Sequence, residues 1–128
     1  MLHSDITDKI IHAFYKVYNT LGYGFLEKVY ENSMKIELLR MGLSVSNQKN
    51  IKVHYNGKVV GDYFADIIVN DCVIIELKAA DGICPEHEAQ LINYLKATDI
   101  EVGLLLNFGK EPELRRKIFT NDNKKIVH

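Results

Sequence analysis

Cysteine is scarce in this chain: Cys72 and Cys84 are the only two among 128 residues. That is too few for a disulfide framework, and they lack the spacing of a zinc site, so both are expected as reduced thiols. Net charge is nearly absent as well, with 16 Lys and Arg against 17 Asp and Glu leaving −1. A strongly basic chain would attract nucleic acid by its overall field, whereas this one needs a local patch to do so. Long apolar runs are missing too. The opening MLHSDITDKIIHAF has charges scattered through it and no apolar segment of signal-peptide type, and no later run approaches the length of a membrane span. The expectation is a cytoplasmic protein without a membrane partner. The sequence holds no repeat, linker or low-complexity stretch, and its length suits one domain with a real core.

What the chain does have is a succession of periods. Ile6, Ile10, Ala13, Phe14 and Val17 recur at helical spacing, with Ser4 or Asp5 as the expected N-cap. LGYGF (21–25) ends that helix. A second is expected from about residue 26 to 41, with Leu26, Val29, Tyr30, Ile36 and Leu39 as its apolar side and Gly42 as its stop. From Asn50 the period becomes two, and Asn56-Gly57 predicts a type I′ hairpin turn. The return strand runs on to Val69, kinked at Gly61, and a third strand covers 73–78. Pro85 suits the first position of a third helix, with Glu86 and Glu88 at its positive end and Leu91, Tyr94 and Leu95 repeating along it. EVGLLLNF (101–108) reads as a buried strand parallel to the third through a right-handed crossover. From about residue 110 the chain is charged and ends as a tail or an edge strand. The order α-α-β-β-β-α-β predicts an α/β sandwich on a small mixed sheet, in a single domain over 1–128.

The stretch CVIIELKAA (72–80) conflicts with its own pattern, because Glu76 and Lys78 interrupt an otherwise apolar strand. Charged side chains are almost never fully buried unless paired. A bare Glu-x-Lys would be read as an ion-paired sheet edge. Here, however, YFADIIV places Asp66 in the preceding apolar strand, one tight turn away. Asp66 can stand across from Glu76 only if the intervening loop has an odd number of residues, such as three, or contains a bulge. In that register Asp66, Glu76 and Lys78 share a face. Two close carboxylates raise each other's proton affinity unless a divalent cation sits between them, and hard oxygen donors favour Mg²⁺ or Mn²⁺. Lys78 would then orient or deprotonate an attacking water and neutralise charge on a phosphoryl group.

The spacing Asp66-x9-Glu76-Leu-Lys78 resembles the core motif of the PD-(D/E)XK nuclease superfamily, with Ala65-Asp66 in place of Pro-Asp. GFLEKVY (24–30) is similar to the signature of the GxxExxY proteins, a branch of that superfamily, and the likeness extends through GDYFADIIV, VIIELKA, HEAQLINYL and LLLNFG. Phe64 departs from the basic or polar residue often found near that point in relatives. The resemblance implies a restriction-endonuclease-like core. It also implies Asp66 and Glu76 as principal metal ligands, the Leu77 carbonyl as a third, and Glu27 as an auxiliary acid reaching the metal directly or through water. Lys78 would be the catalytic lysine, and Gln90 would hold a water or a phosphate oxygen beside it. Tyr30, His87, Tyr94, Arg115 and Arg116 are the candidates for substrate contact.

The function expected from these residues is metal-dependent hydrolysis of the DNA backbone. Two other readings keep the fold. One is a nucleic-acid or protein-binding module without chemistry, which the near-neutral charge favours. The other is a junction-resolving nuclease, which needs a symmetric homodimer to present two sites to two strands.

Overall fold

The computed structural model describes residues 1–126. Five strands form one sheet in chain order: β1 (Val45–Tyr55), β2 (Lys58–Val69), β3 (Val73–Lys78), β4 (Val102–Phe108) and β5 (Pro112–Ile118). Neighbouring strands are antiparallel except β3 and β4, which run parallel with α3 (Pro85–Lys96) between them in the chain. α1 (Ser4–Leu21) and α2 (Glu27–Arg40) pack on one face with Ile67, Ile75, Leu77, Leu104 and Leu106. α3 packs on the other with Ile68, Ile74 and Leu105. β3 and β4 are therefore buried on both faces, which is why they read as continuous apolar runs. Among the described residues no helix is long and apolar enough to cross a membrane.

Several expectations are met by local chemistry. The turn residues Asn56 and Gly57 both take positive φ, 51° and 77°, as a type I′ turn requires. The β1–β2 register shifts beside Val53 and Gly61, at the kink the sequence predicts. Pro85 occupies the first turn of α3.

Three expectations need correction. The buried stripe of α2 is Tyr30, Met34 and Leu38, with Glu31 beside it, while Leu26, Ile36 and Leu39 face solvent. Apolar residues are spread around this helix, so periodicity alone does not define its inner side. α1 starts at Ser4 behind a left-handed His3, with no side-chain cap from Ser4 or Asp5. The charged segment beyond residue 110 is an edge strand and not a tail, because β5 completes the hydrogen-bonding of β4 from Phe108↔Pro112 to Val102↔Ile118.

Candidate active site

The loop between β2 and β3 is Asn70-Asp71-Cys72, three residues, with Asn70 and Asp71 in the left-handed region at φ 50° and 54°. Asn and Asp tolerate that conformation better than other side chains. The Asn70 carboxamide also accepts a hydrogen bond from Ser44 N at 2.8 Å, which anchors the loop. The odd count sets the register Val69↔Val73, Ile68↔Ile74 and Ile67↔Ile75, so Asp66 falls opposite Glu76.

At that point the two strands part. The backbone pairing of β2 with β3 stops at Ile67↔Ile75, and carboxylates take over the next amides. Asp66 N donates to Glu76 Oε1 at 3.1 Å, and Leu77 N donates to Asp66 Oδ2 at 2.8 Å. Each acid thus caps the other's strand. The divergence has a visible cause in β2, whose face alternation breaks at Asp66. Ile67 packs toward α1 and α2, yet Ala65 and Tyr63 pack toward α3, as does Ile68. Opposite Asp66 on β1 stands Gln48, between the pairs Asn47↔Ile67 and Lys49↔Ala65 and at φ 53°. Left-handed backbone at a non-glycine strand residue is the device that turns the outer β1–β2 ribbon over α3.

Glu76 is 3 % exposed. Burial, and next the Asp66 carboxylate, push its carboxyl up to about 8, while the Asp66 amide and Lys78 pull it down. Asp66 is raised too, by burial first, against the Leu77 amide. In the metal-free protein this pair prefers a proton to two bare charges. Lys78, two residues beyond Glu76 on the same face, donates from Nζ to Gln90 Oε1 at 3.4 Å, and Gln90 Nε2 donates to Tyr94 Oη at 3.0 Å. The Tyr94 hydroxyl is pushed up to about 12 by burial and by the two nearby acids. The structure thus brings Asp66, Glu76, Lys78 and Gln90 together at the fork, and places Tyr94, expected only as a substrate contact, beside Gln90.

The segment after Lys78 is held by Asn107, which is fully buried. Its side chain accepts from Ala80 N at 2.9 Å and donates to Ala80 O at 3.0 Å, imitating a strand partner. Gly109 makes room for this chain, since a Cβ there would lie 2.5 Å from Ala80 O.

Other candidates lie elsewhere. Glu27 is exposed at the first turn of α2 and contributes to the field at Asp66 less than Glu31 does. Tyr30 is fully buried, stacked on Phe108 with ring centroids 4.2 Å apart. Its hydroxyl donates to Gly22 O at 2.7 Å and accepts from Phe25 N at 3.2 Å, so it pins the α1–α2 loop and is closed to substrate. His87 Nδ1 accepts from Cys84 N at 3.3 Å in a capping box at the start of α3, which engages the imidazole locally. Arg115 and Arg116 point to opposite faces of β5. Arg116 donates to Leu2 O at 2.6 Å on the α1 side, away from the carboxylate pair. Arg115 shares the row Glu76↔Leu105↔Arg115, two strand spacings from Glu76, roughly 10 Å.

Sequence reasoning missed Glu31. It is 4 % exposed and accepts from Gln48 Nε2 at 2.8 Å, Asn47 Nδ2 at 3.4 Å and Lys28 Nζ at 3.0 Å. It thereby ties α2 to the kinked part of β1 facing Asp66. The one available signal was its position a helical turn beyond Glu27.

As a test of metal fit, no three of His, Cys, Asp and Glu are grouped among the described residues so as to hold an ion by themselves. The donors present are one buried carboxylate, Glu76, and one half-buried, Asp66, both of raised proton affinity at a strand fork. A hard cation replacing the shared proton, with backbone carbonyl and water completing its shell, fits that set.

Comparison with known proteins agrees with this geometry. No curated protein matches the chain. Among solved structures, that of SSO0001 superposes with a TM-score of 0.57 at 17% identity, covering 73% of this chain and 50% of that one. An alkaline exonuclease from Laribacter hongkongensis gives a TM-score of 0.53 at 13% identity, covering 74% and 56%. The chain therefore spans about half the length of the structures it matches, and the likeness is one of fold. The family model of the PD-(D/E)XK nuclease superfamily matches residues 4–118. Mixed sheet, flanking helices and sequence match agree: the chain belongs to the PD-(D/E)XK nuclease superfamily.

Proposed function

We propose that the chain is a divalent-metal-dependent nuclease that hydrolyses DNA phosphodiester bonds at Asp66, Glu76 and Lys78. The observation that carries this reading is the closed pair of carboxylates at the β2–β3 fork with an ammonium on the same face. Mg²⁺ or Mn²⁺ held by Asp66, Glu76 and the Leu77 carbonyl would supply Lewis acidity toward a phosphoryl oxygen and a water of lowered pKa. The Lys78 ammonium has three donors. One is directed at Gln90, and the others are available to the attacking water and to the phosphate oxygens on which charge develops. Gln90, itself held by Tyr94, fixes that ammonium in place. Glu27, exposed at the first turn of α2 with its charge acting on Asp66, would reach such an ion only through water. The GFLEKVY segment supports assignment to the GxxExxY branch, and the likeness to an alkaline exonuclease supports a nucleic-acid substrate.

The test is cleavage of single-stranded, double-stranded and branched DNA with Mg²⁺ or Mn²⁺, using Asp66→Ala and Lys78→Ala as controls. Each substitution is expected to lower the rate about 10²-fold or more, as loss of a group acting on transition-state charge does. A wild type that cuts none of these substrates, at any metal concentration tried, overturns the proposal.

A further inference from the structure

We propose that the cavity between α3 and the β1–β2 ribbon is a pocket for one unstacked nucleobase, so that the site acts on a strand with an unpaired nucleotide beside the scissile phosphate. This rests on the nuclease reading above. The cavity has a volume of about 450 Å³, in the range of small-molecule sites. Val53 and Tyr63 form its ribbon wall, and Gln90, Asn93 and Tyr94 its helix wall.

Three observations select a base as the occupant. First, the pocket adjoins the chemistry through a single side chain: Gln90 holds Lys78 with its oxygen and Tyr94 with its nitrogen. A nucleotide whose phosphate meets Lys78 has its base at this wall. Second, Tyr63 is 48 % exposed, and its ring is inclined 49° to Tyr94 with centroids 5.7 Å apart. The two rings are not stacked on each other, so the half-exposed Tyr63 is not committed to Tyr94 as a stacking partner. Third, the charge on the walls suits a neutral group. Glu86 repels a phosphate, and the Lys96 ammonium is drawn over the Phe119 ring at 5.6 Å. Asn93 adds an amide, donor and acceptor together, which matches the edge of a base. A base within a duplex has both faces covered by its neighbours, so it enters such a pocket only after leaving the stack.

The experiment measures binding, without turnover, on the full chain carrying Asp66→Asn, by fluorescence anisotropy. The probes are a labelled oligothymidylate, a strand of equal length made wholly of abasic nucleotides, and a blunt duplex. The oligothymidylate is expected to bind about 5- to 150-fold more tightly than the abasic strand, the range that stacking of a base on an aromatic ring carries. Adding Tyr63→Ala should remove most of that preference, and Tyr63→Phe should retain it. Tyr63→Phe keeps the ring contact with Tyr94, and unfolding midpoints of both variants check that the fold is retained. The blunt duplex should bind more weakly than the oligothymidylate. Equal affinity for base-bearing and abasic strands, no measurable binding to either, or a preference that survives Tyr63→Ala overturns the pocket. An inactive wild type sinks the nuclease reading and leaves the binding result intact. An active one that cuts blunt duplex as fast as single strand, with Tyr63→Ala unchanged, overturns the pocket alone.

Discussion

Replacing Glu76 by glutamine should reverse the usual cost of altering a buried residue. In the folded, metal-free chain the Glu76 carboxyl is raised from 4.5 to about 8, chiefly by burial and then by Asp66. The folded state therefore binds a proton that the unfolded state releases between those two values. Stability from this group is fully present below pH 4.5 and is lost as pH rises through 8. At about 1.4 kcal/mol per pH unit, the loss between pH 5 and pH 8 is roughly 3–4 kcal/mol, a large part of a small domain's total. The carboxamide introduced by Glu76→Gln would keep the acceptor for Asp66 N and carry no charge, so the variant should lack this slope. The assay is urea unfolding in EDTA at pH 5, 6.5 and 8 for both chains. Unchanged denaturant slopes would establish that midpoint shifts report stability. The variant should match or trail the wild type at pH 5 and exceed it at pH 8. Parallel curves across this range, or a wild type that gains on the variant as pH rises, would refute the burial and charge argument at the fork.

At pH 8, excess Mn²⁺ should raise the thermal midpoint of the wild type by binding the folded state, and have little effect on Glu76→Gln, as read by differential scanning fluorimetry. Asn107→Ala should cost about 1–3 kcal/mol by orphaning the Ala80 amide and carbonyl, measured by chemical denaturation. It should also depress cleavage more than substrate binding, because the chain after Lys78 loses its anchor. Glu31→Ala should cost a similar ~1–3 kcal/mol, since Gln48 and Asn47 lose their acceptor. A loss no larger than that of Glu27→Ala, which removes an exposed side chain, would show that Glu31 does not hold the kink.

Sequence alone determined the elements whose cause is local. The Asn56-Gly57 turn and Pro85 at the start of α3 each follow from the residues at hand. The sequence also limited the register of the acids to an odd loop, because side chains alternate along a strand. The three-residue loop Asn70-Asp71-Cys72 is a case of that rule. What it left open depends on packing between distant segments. The inner face of α2 follows from which residues meet the sheet, so Ile36 and Leu39 stay outside while Glu31 goes in. Edge pairing turned the charged segment after 110 into β5, because β4 had unsatisfied backbone groups on that side. Above all, only the tertiary structure decided that β2 would change faces at Asp66. That twist parts the strands, leaves two carboxylates to cap each other, and lays Tyr63 over α3 beside Gln90 and Tyr94. Residue types specified the chemistry available; the strand divergence assembled it, because a fork between two strands exists only once both have found their other partners.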